Sequence, residues 1–116
     1  MRREQRLRAN ADFVRVRREG RSWSHPLLVL FVAPGTSPDG ATRVGVTVGR
    51  WADGAVIRNR ARRRVREAVR LRYDRIERGC DLVFLVRAGV VQAPYGAIAE
   101  AVSVVLARAG LLGAEV

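Results

Sequence analysis

The chain has 116 residues, of which 48% are hydrophobic, and this suffices for one domain with its own core and excludes disorder throughout. The formal net charge is +11, and all 22 basic residues are arginine, which indicates codon bias in a GC-rich genome more than selection for arginine. The excess lies in two segments, eight arginines against three acids in residues 2–21 and eleven against four in residues 50–78, as expected of a binding surface.

The first half of the chain predicts one helix and two strands. Asn10 is placed to cap a helix that runs to about Arg18, with Gly20 just past its end. Residues 27–32 are continuously apolar, which predicts a buried strand. A turn-forming loop at residues 34–40 leads to residues 43–48, where valines alternate with polar and small residues. We expect these two strands to pair as an antiparallel hairpin.

The second half predicts a long helix, a strand and a last helix. Residues 55–76 carry apolar residues at spacings of three and four, and Gly79 is expected to end this helix. Residues 81–86 are nearly all apolar and predict a third strand. Pro94 is placed to open a helix over residues 95–109, with Gly110 as its stop. The apolar side chains that we expect to bury the two helices are Ala61, Val65, Ala68, Val69 and Ile76, then Ile98, Val102, Val105 and Leu106.

These elements predict one α/β (α+β) domain over residues 1–116, a two-layer sandwich of a single mixed sheet and helices in the order α-β-β-α-β-α. The segment from residue 43 to residue 86 is a βαβ crossover, which general rules make right-handed.

The most basic segment is residues 58–66, where six of nine residues are arginine. On a helix, Arg58, Arg62 and Arg66 lie along one line while the apolar stripe faces the sheet. The ordinary alternative is a solvated face braced by ion pairs, but the one acid nearby is Glu67, four residues after Arg63. Because like charges one turn apart repel each other, the segment predicts a polyanionic partner.

The same segment resembles the signature of a known family. Arg58-Asn59-Arg60, preceded by Ala55-Val56 and followed by Arg62-Arg63 and Arg66-Glu67-Ala68, resembles that of the bacterial ribonuclease P protein subunit. Two further segments fit the same family in order: Arg6-Leu-Arg with Asp12-Phe13-Val14, Val16 and Gly20, and Arg43-Val-Gly-Val-Thr-Val48.

The resemblance implies a subunit of an endoribonuclease that matures the 5′ end of tRNA, with the catalytic site and most of the Mg²⁺ in a separate RNA. It implies a monomer in a 1:1 complex with that RNA, and a left-handed βαβ crossover. It assigns to the catalytic RNA the residues Arg58, Asn59, Arg60, Arg62, Arg63 and Arg66. It assigns to a cleft for the 5′ leader of precursor tRNA the residues Phe13, Arg17, Phe31, Gly45, Thr47 and Arg50, with Gly49 also in its floor.

The residues of the cleft also have ordinary explanations. Phe13 is equally well explained as a core residue, and Phe31 lies in an apolar strand that favours the core. Trp23 and Trp51 are further aromatics without a strong case for RNA contact. The chain departs from the family pattern at Arg17, where many relatives have a second aromatic, at Arg50-Trp51 in place of two cations, and at Asp53-Gly54, which affects the start of the helix.

The residues give no catalytic or metal site for the chain alone. His25 is the one histidine, Asp81 begins a strand without a second acid, and no Cys/His ligand set has useful spacing. The single cysteine, Cys80, fits a reducing compartment, and the longest apolar run, seven residues, is too short for a bilayer. We therefore expect a cytoplasmic protein without a membrane partner.

Two other functions fit a small basic domain. One is a structural ribosomal protein, or another RNA-binding protein without a role in tRNA processing, which would need no cleft for a single strand. The other is a DNA-binding protein with the arginine helix in the major groove, which would want a dimer interface that the sequence does not offer.

Overall fold

The computed structural model describes residues 1–113. Within them the α-helices and β-strands follow in the order α1 (Asn10–Glu19), β1 (Arg21–Ser24), β2 (Leu28–Pro34), β3 (Arg43–Val48), α2 (Ala55–Arg70), β4 (Cys80–Val86) and α3 (Tyr95–Arg108). Short 3-10 helices lie at Arg3–Gln5, Tyr73–Arg75 and Ala88–Val91.

The strands form one mixed sheet in the order β1-β2-β4-β3. β3 and β4 are parallel and joined through α2, whereas β2 is antiparallel to both β1 and β4. The predicted mixed α+β sheet with its βαβ crossover is confirmed, and the handedness of the crossover stays an expectation.

The predicted hairpin between the second and third strands is wrong. β2 and β3 lie on either side of β4 and do not pair with each other. The reason is that β4 is buried on both faces, with Leu82, Val83 and Phe84 all fully buried, so it takes the central place. Alternation within a strand shows which face is buried but not which strand is its neighbour.

The sequence also missed β1, which pairs with β2 over four residues from Arg21↔Val32 to Ser24↔Val29. This strand is short and largely exposed, and Trp23 is its one half-buried residue, so it carries no apolar alternation. Its polar composition is typical of an edge strand.

The larger core lies between one face of the sheet and helices α2 and α3. Phe84 at its centre is fully buried, and the predicted apolar residues of both helices are buried there. The bounds of α2 differ from the prediction, because the helix ends at Arg70 and Ile76 reaches the core from an isolated bridge to Leu112. α3 agrees with the prediction, and Gly110 follows it with a φ of 74°.

The other face of the sheet carries α1 and a smaller core. Its buried members are Leu7, Val16, Ala33 and Val83, with Phe13 and Phe31 packed against them. α1 itself begins at Asn10 after an N-cap at Ala9, so the predicted capping role of Asn10 is wrong. Val16 is the one fully buried side chain that α1 contributes. Apolar burial alone therefore attaches α1 to the sheet only weakly.

Candidate RNA-binding surface

An open cleft of about 850 Å³ lies where α1, the segment before it, strand β3 and helix α2 meet. Among the residues that the structure describes, its walls contain no Asp or Glu. The basic residues that line it are Arg6, Arg8, Arg17, Arg18, Arg62 and Arg66. Phe13, Phe31, Gly45 and Thr47 line it as well. The fold thus brings most of the leader-cleft residues from the sequence to one place.

Phe13 lies directly over Gly45 on the floor of the cleft. A Cβ added to Gly45 would be 2.5 Å from Cζ of Phe13 and 2.6 Å from its Cε1. The glycine is therefore needed for the phenylalanine ring, which covers it from α1. The sequence predicted Gly45 as space for RNA, whereas the structure fills that space with Phe13 and leaves the half-buried ring facing the cleft.

Phe31 lies on the same row of the sheet, on the far side of Val83 from Gly45. The guanidinium carbon of Arg17 lies 5.7 Å from the centroid of its ring, within cation–π range. Arg17 stands where many relatives have an aromatic, so in this chain a cation covers the second aromatic of the cleft.

The α2 wall of the cleft is strongly positive. Burial lowers the pKa of Arg66, and the neighbouring charges of Arg6 and Arg62 lower it further. Nη1 of Arg62 donates a hydrogen bond to Oδ1 of Asn59 at 3.0 Å. Three arginines without a facing acid leave an excess of positive charge that an anion would relieve.

The outer arginines of α2 divide into free and engaged side chains. Arg60 and Arg63 are exposed and form no hydrogen bond or ion pair with any residue of the described range 1–113. Arg58 donates to the carbonyl of Val48 at 3.2 Å, and Arg64 donates to two carbonyls of the loop after β4. Glu67, the one acid that the sequence places near Arg63, binds Arg70 instead at 2.5 Å.

Two of the predicted cleft positions, Gly49 and Arg50, lie outside the cleft. Arg50 is exposed in the turn after β3 and does not line the cleft. Gly49 lies against the ring of Trp51, whose Nε1 donates to the carbonyl of Val86 at 2.9 Å. Trp51 is therefore a structural residue in this turn. Gly54 precedes α2 with a φ of 87°, so the Asp53-Gly54 pair forms the turn that starts the helix at Ala55.

Comparisons with known proteins match the chain to one family. The model of the family Ribonuclease P matches residues 1–110. The ribonuclease P protein component of Herpetosiphon aurantiacus is 51% identical over 111 residues, which cover 96% of this chain and 89% of the relative. That of Chloroflexus aurantiacus is 47% identical over 115 residues, covering 98% and 84%.

The chain belongs to the ribonuclease P protein family. Among solved structures, the RNase P protein from Thermotoga maritima aligns with a TM-score of 0.77 at 27% identity, covering 89% of this chain and 96% of that one. The RNase P protein of Staphylococcus aureus aligns with a TM-score of 0.81 at 24% identity, covering 94% and 98%, which bears on the fold alone. The role in ribonuclease P and tRNA processing predicted from the resemblance is confirmed, in preference to a ribosomal or DNA-binding protein.

This ribonuclease P protein also contains a charged cluster that the sequence did not predict, the α1–sheet ion network of Asp12, Arg15, Arg43 and Asp81. Asp81 on β4 is fully buried and accepts from Arg43 at 2.8 and 3.0 Å and from Arg15 of α1. Asp12 lies 3.3 Å from Arg15 and 3.7 Å from Arg43. Burial acts to raise the pKa of Asp81, but the hydrogen bonds of Arg43 and Arg15 outweigh it and hold this pKa below its ordinary value.

The sequence treated Asp81 as an isolated acid because its partners come from residues 12, 15 and 43, far away in the chain. Within residues 1–113, no group of three or more His, Cys, Asp or Glu side chains is arranged to hold a metal ion. None of the described helices is long and apolar enough to cross a membrane.

Proposed function

We propose that this ribonuclease P protein binds the catalytic RNA through α2 and holds the 5′ leader of precursor tRNA in the cleft beside α1. The chemistry then lies in the RNA, whose bound Mg²⁺ activates water against the scissile phosphate. The protein contributes position and charge. We further propose that it acts as a single copy per RNA, in the bacterial cytoplasm where precursor tRNA is made.

The observation that carries the leader assignment is the composition of the cleft. Six arginines and two half-buried aromatic residues line one open groove, with no acid among the described residues of its walls. A flexible single strand fits such a groove, because its phosphates meet the arginines while an unpaired base stacks on a ring. A folded duplex has no unpaired base to offer Phe13.

The assignment of the catalytic RNA to α2 rests on Arg60 and Arg63. Both are exposed, and neither is engaged within the described part of the chain. They lie on the outer side of a helix whose other side is committed to the core through Ala61 and Val65. An extended polyanion on this surface would replace the mutual repulsion of these arginines with phosphate contacts. Arg62 and Arg66 line the cleft, so α2 contributes to both surfaces.

The charged residues of the protein support chemistry in the partner rather than in this chain. Asp12 and Asp81 are the acids closest to the cleft floor, and both are bound by Arg15 and Arg43. A carboxylate held by two guanidinium groups is a poor ligand for Mg²⁺, because the cation would have to displace them. These two carboxylates therefore do not fit a catalytic metal.

The test is reconstitution with a bacterial ribonuclease P RNA, comparing precursor tRNA with a leader against the same tRNA without one. Phe13→Ala should weaken the binding of the leader-bearing substrate by about tenfold, which corresponds to the loss of one stacked base. The binding of the leaderless substrate should not change. Tyr95→Ala, an exposed aromatic on α3, is the matched control. Equal weakening of both substrates by Phe13→Ala would reject the leader assignment.

The α2 assignment needs a separate measurement, the affinity of the protein for the catalytic RNA without substrate. Arg60→Ala combined with Arg63→Ala should weaken this affinity. The log–log slope of affinity against salt concentration should also become shallower, by the amount expected for the loss of about two phosphate contacts. Arg78→Ala removes an exposed arginine from the loop before β4 and serves as the control for general charge. If the control and the double variant behave alike, α2 is not the RNA-binding element. Mass photometry of the reconstituted complex checks the 1:1 ratio.

A further inference from the structure

We infer that the α1–sheet ion network positions Phe13 for the leader, so that Arg15 is a positioning residue for substrate binding although it does not line the cleft. The inference rests on the proposed leader function. It concerns residues outside the cleft, since the walls of the cleft do not include any of the four members of the network.

The first step is that α1 has little else to hold it. Val16 is its one fully buried side chain, and the core under it has four buried residues. Arg15 crosses from α1 to the sheet, where it binds the buried Asp81 and donates to the carbonyl of Pro34 at 3.3 Å. Because Asp81 cannot reach water, its contact with Arg15 fixes the helix at one place on the sheet.

The second step is the distance from the network to the cleft. Arg43 and Asp81 are register partners on β3 and β4, and two residues further along the same face the partners are Gly45 and Val83. Two residues along a strand are about 7 Å. On α1, Asp12 is adjacent to Phe13, and Arg15 precedes Arg18 in the cleft wall by three residues, about one turn. A shift of α1 at the network therefore moves Phe13 relative to Gly45.

The third step is that the position of Phe13 allows little tolerance. Its ring lies over a residue that has no room for even one methyl group. A helix that rotates or slides by an ångström either presses the ring into the strand or lifts it from the floor. Stacking on a base requires the ring in one orientation, so loosening α1 lowers the fraction of molecules that can bind the leader.

The central variant is Arg15→Met in the reconstituted holoenzyme. It removes the direct link from α1 to Asp81 and leaves only the 3.7 Å contact between Asp12 and Arg43. The buried Asp81 keeps Arg43, so the remaining charge stays paired. We expect leader-bearing precursor tRNA to bind roughly two- to tenfold more weakly, the range that coupling between neighbouring sites gives, with the leaderless substrate unaffected. Arg78→Met loses the same charge at a side chain that donates to the carbonyl of Asp39 and belongs to neither the network nor the cleft, so it should leave both substrates unaffected.

A double-mutant cycle with Phe13→Ala separates positioning from simple loss of stability. If Arg15 acts through Phe13, Arg15→Met has no further effect on leader binding once Phe13 is alanine. Additive losses, or equal weakening of the leaderless substrate, overturn the inference. If Arg15→Met does not fold, as judged by circular dichroism, Asp12→Asn enters the same cycle, since Asp12 contacts both arginines and is only partly buried.

Failure of this inference is distinguishable from failure of the proposed function. If the Phe13→Ala protein binds both substrates as tightly as the wild type, the proposed leader-binding function itself is rejected. If Phe13→Ala weakens leader binding but Arg15→Met does not, the proposed leader function stands and the positioning role of Arg15 is rejected.

Discussion

Gly45→Ala tests the contact on which the shape of the cleft depends. The added Cβ would lie 2.5 Å from Cζ of Phe13 and 3.1 Å from Cβ of Leu7. Gly45 is not among the described glycines with positive φ, so alanine fits its backbone and the conflict is purely steric. The ring of Phe13 cannot move into the strand and must move outward, toward the cleft.

The expected loss follows from two opposing effects. Overpacking a close contact costs about 1–3 kcal/mol. Replacing glycine stiffens the unfolded chain and returns about 0.4–1 kcal/mol. The net expectation is a free energy of unfolding lower by about 1–2 kcal/mol. Because Phe13 is half-buried, its outward movement relieves part of the strain, and the value should lie toward the lower end.

Equilibrium urea unfolding, followed by circular dichroism, measures this loss. Gly96→Ala is the matched control, since Gly96 lies in the first turn of α3 with no atom within 4 Å of an added Cβ. There the same substitution should stabilise by about 0.5–1 kcal/mol. In a Phe13→Ala background Gly45→Ala should be clearly less destabilising, because the obstructing ring is gone and only the 3.1 Å approach to Cβ of Leu7 remains. A Gly45→Ala protein as stable as Gly96→Ala, or a loss of the same size without the ring, would refute the contact.

Three further predictions concern the arginines and their partners. Arg64→Ala should lower the free energy of unfolding, measured by urea denaturation, by about 2 kcal/mol. The reason is that it removes two charged hydrogen bonds of 2.6 Å to the carbonyls of Val90 and Ala93. Arg60→Ala, at an exposed arginine, should change the same free energy by less than about 0.5 kcal/mol. The pKa of Asp81 is lowered in the folded protein, so its ion pairs stabilise the fold at neutral pH, and this contribution is lost as pH falls below the ordinary aspartate value of about 3.9 toward the folded pKa. The difference in Tm between wild type and Asp81→Asn should therefore shrink on acidification, and a constant difference would contradict the pairing. Binding of the catalytic RNA should weaken with a log–log salt slope near −5 if about six phosphates are neutralised, and a flat response in filter-binding assays would reject an electrostatic interface.

The sequence predicted those features of the fold that depend on periodicity. The stripe containing Ala61 and Val65 placed the start of α2 correctly but carried the helix six residues past its end at Arg70. The apolar run of residues 81–86 placed β4 within one residue. The neighbour of each strand depends on contacts between distant residues, so the predicted hairpin failed. β1 was missed for another reason, because three exposed polar residues and one half-buried tryptophan bury too little to leave a pattern.

The candidate site divides in the same way. The arginines of α2 predicted a cationic helix from the sequence alone. The cleft was predicted only because the motif around Phe13 resembles that of the family. The reason for Gly45 was not visible, because it depends on the ring of a residue more than thirty positions away. The pairing of Asp81 with Arg15 and Arg43 was not visible either, since each residue alone looks like a surface charge. The one local signal for this pairing is that Asp81 stands at the start of an apolar strand, where an acid that becomes buried needs a basic partner.

Whether an arginine of this chain has a structural role depends on whether the fold places a hydrogen-bond acceptor or an acid near it. In a chain without lysine, arginine also serves the structural positions, and its planar fork suits them: Arg64 binds two carbonyls at once and Arg43 binds both oxygens of Asp81. A lysine would meet such pairs with a single ammonium group. The net charge therefore overstates the RNA-binding surface, which consists of those arginines that the fold leaves without an acid in the cleft and on the outer side of α2. The same dependence explains why the ion network beside α1 matters. By neutralising Arg15 and Arg43, Asp12 and Asp81 keep these two arginines on the helix–sheet contact. Under the proposed function, the phosphates of the leader are then left to the arginines of the cleft wall.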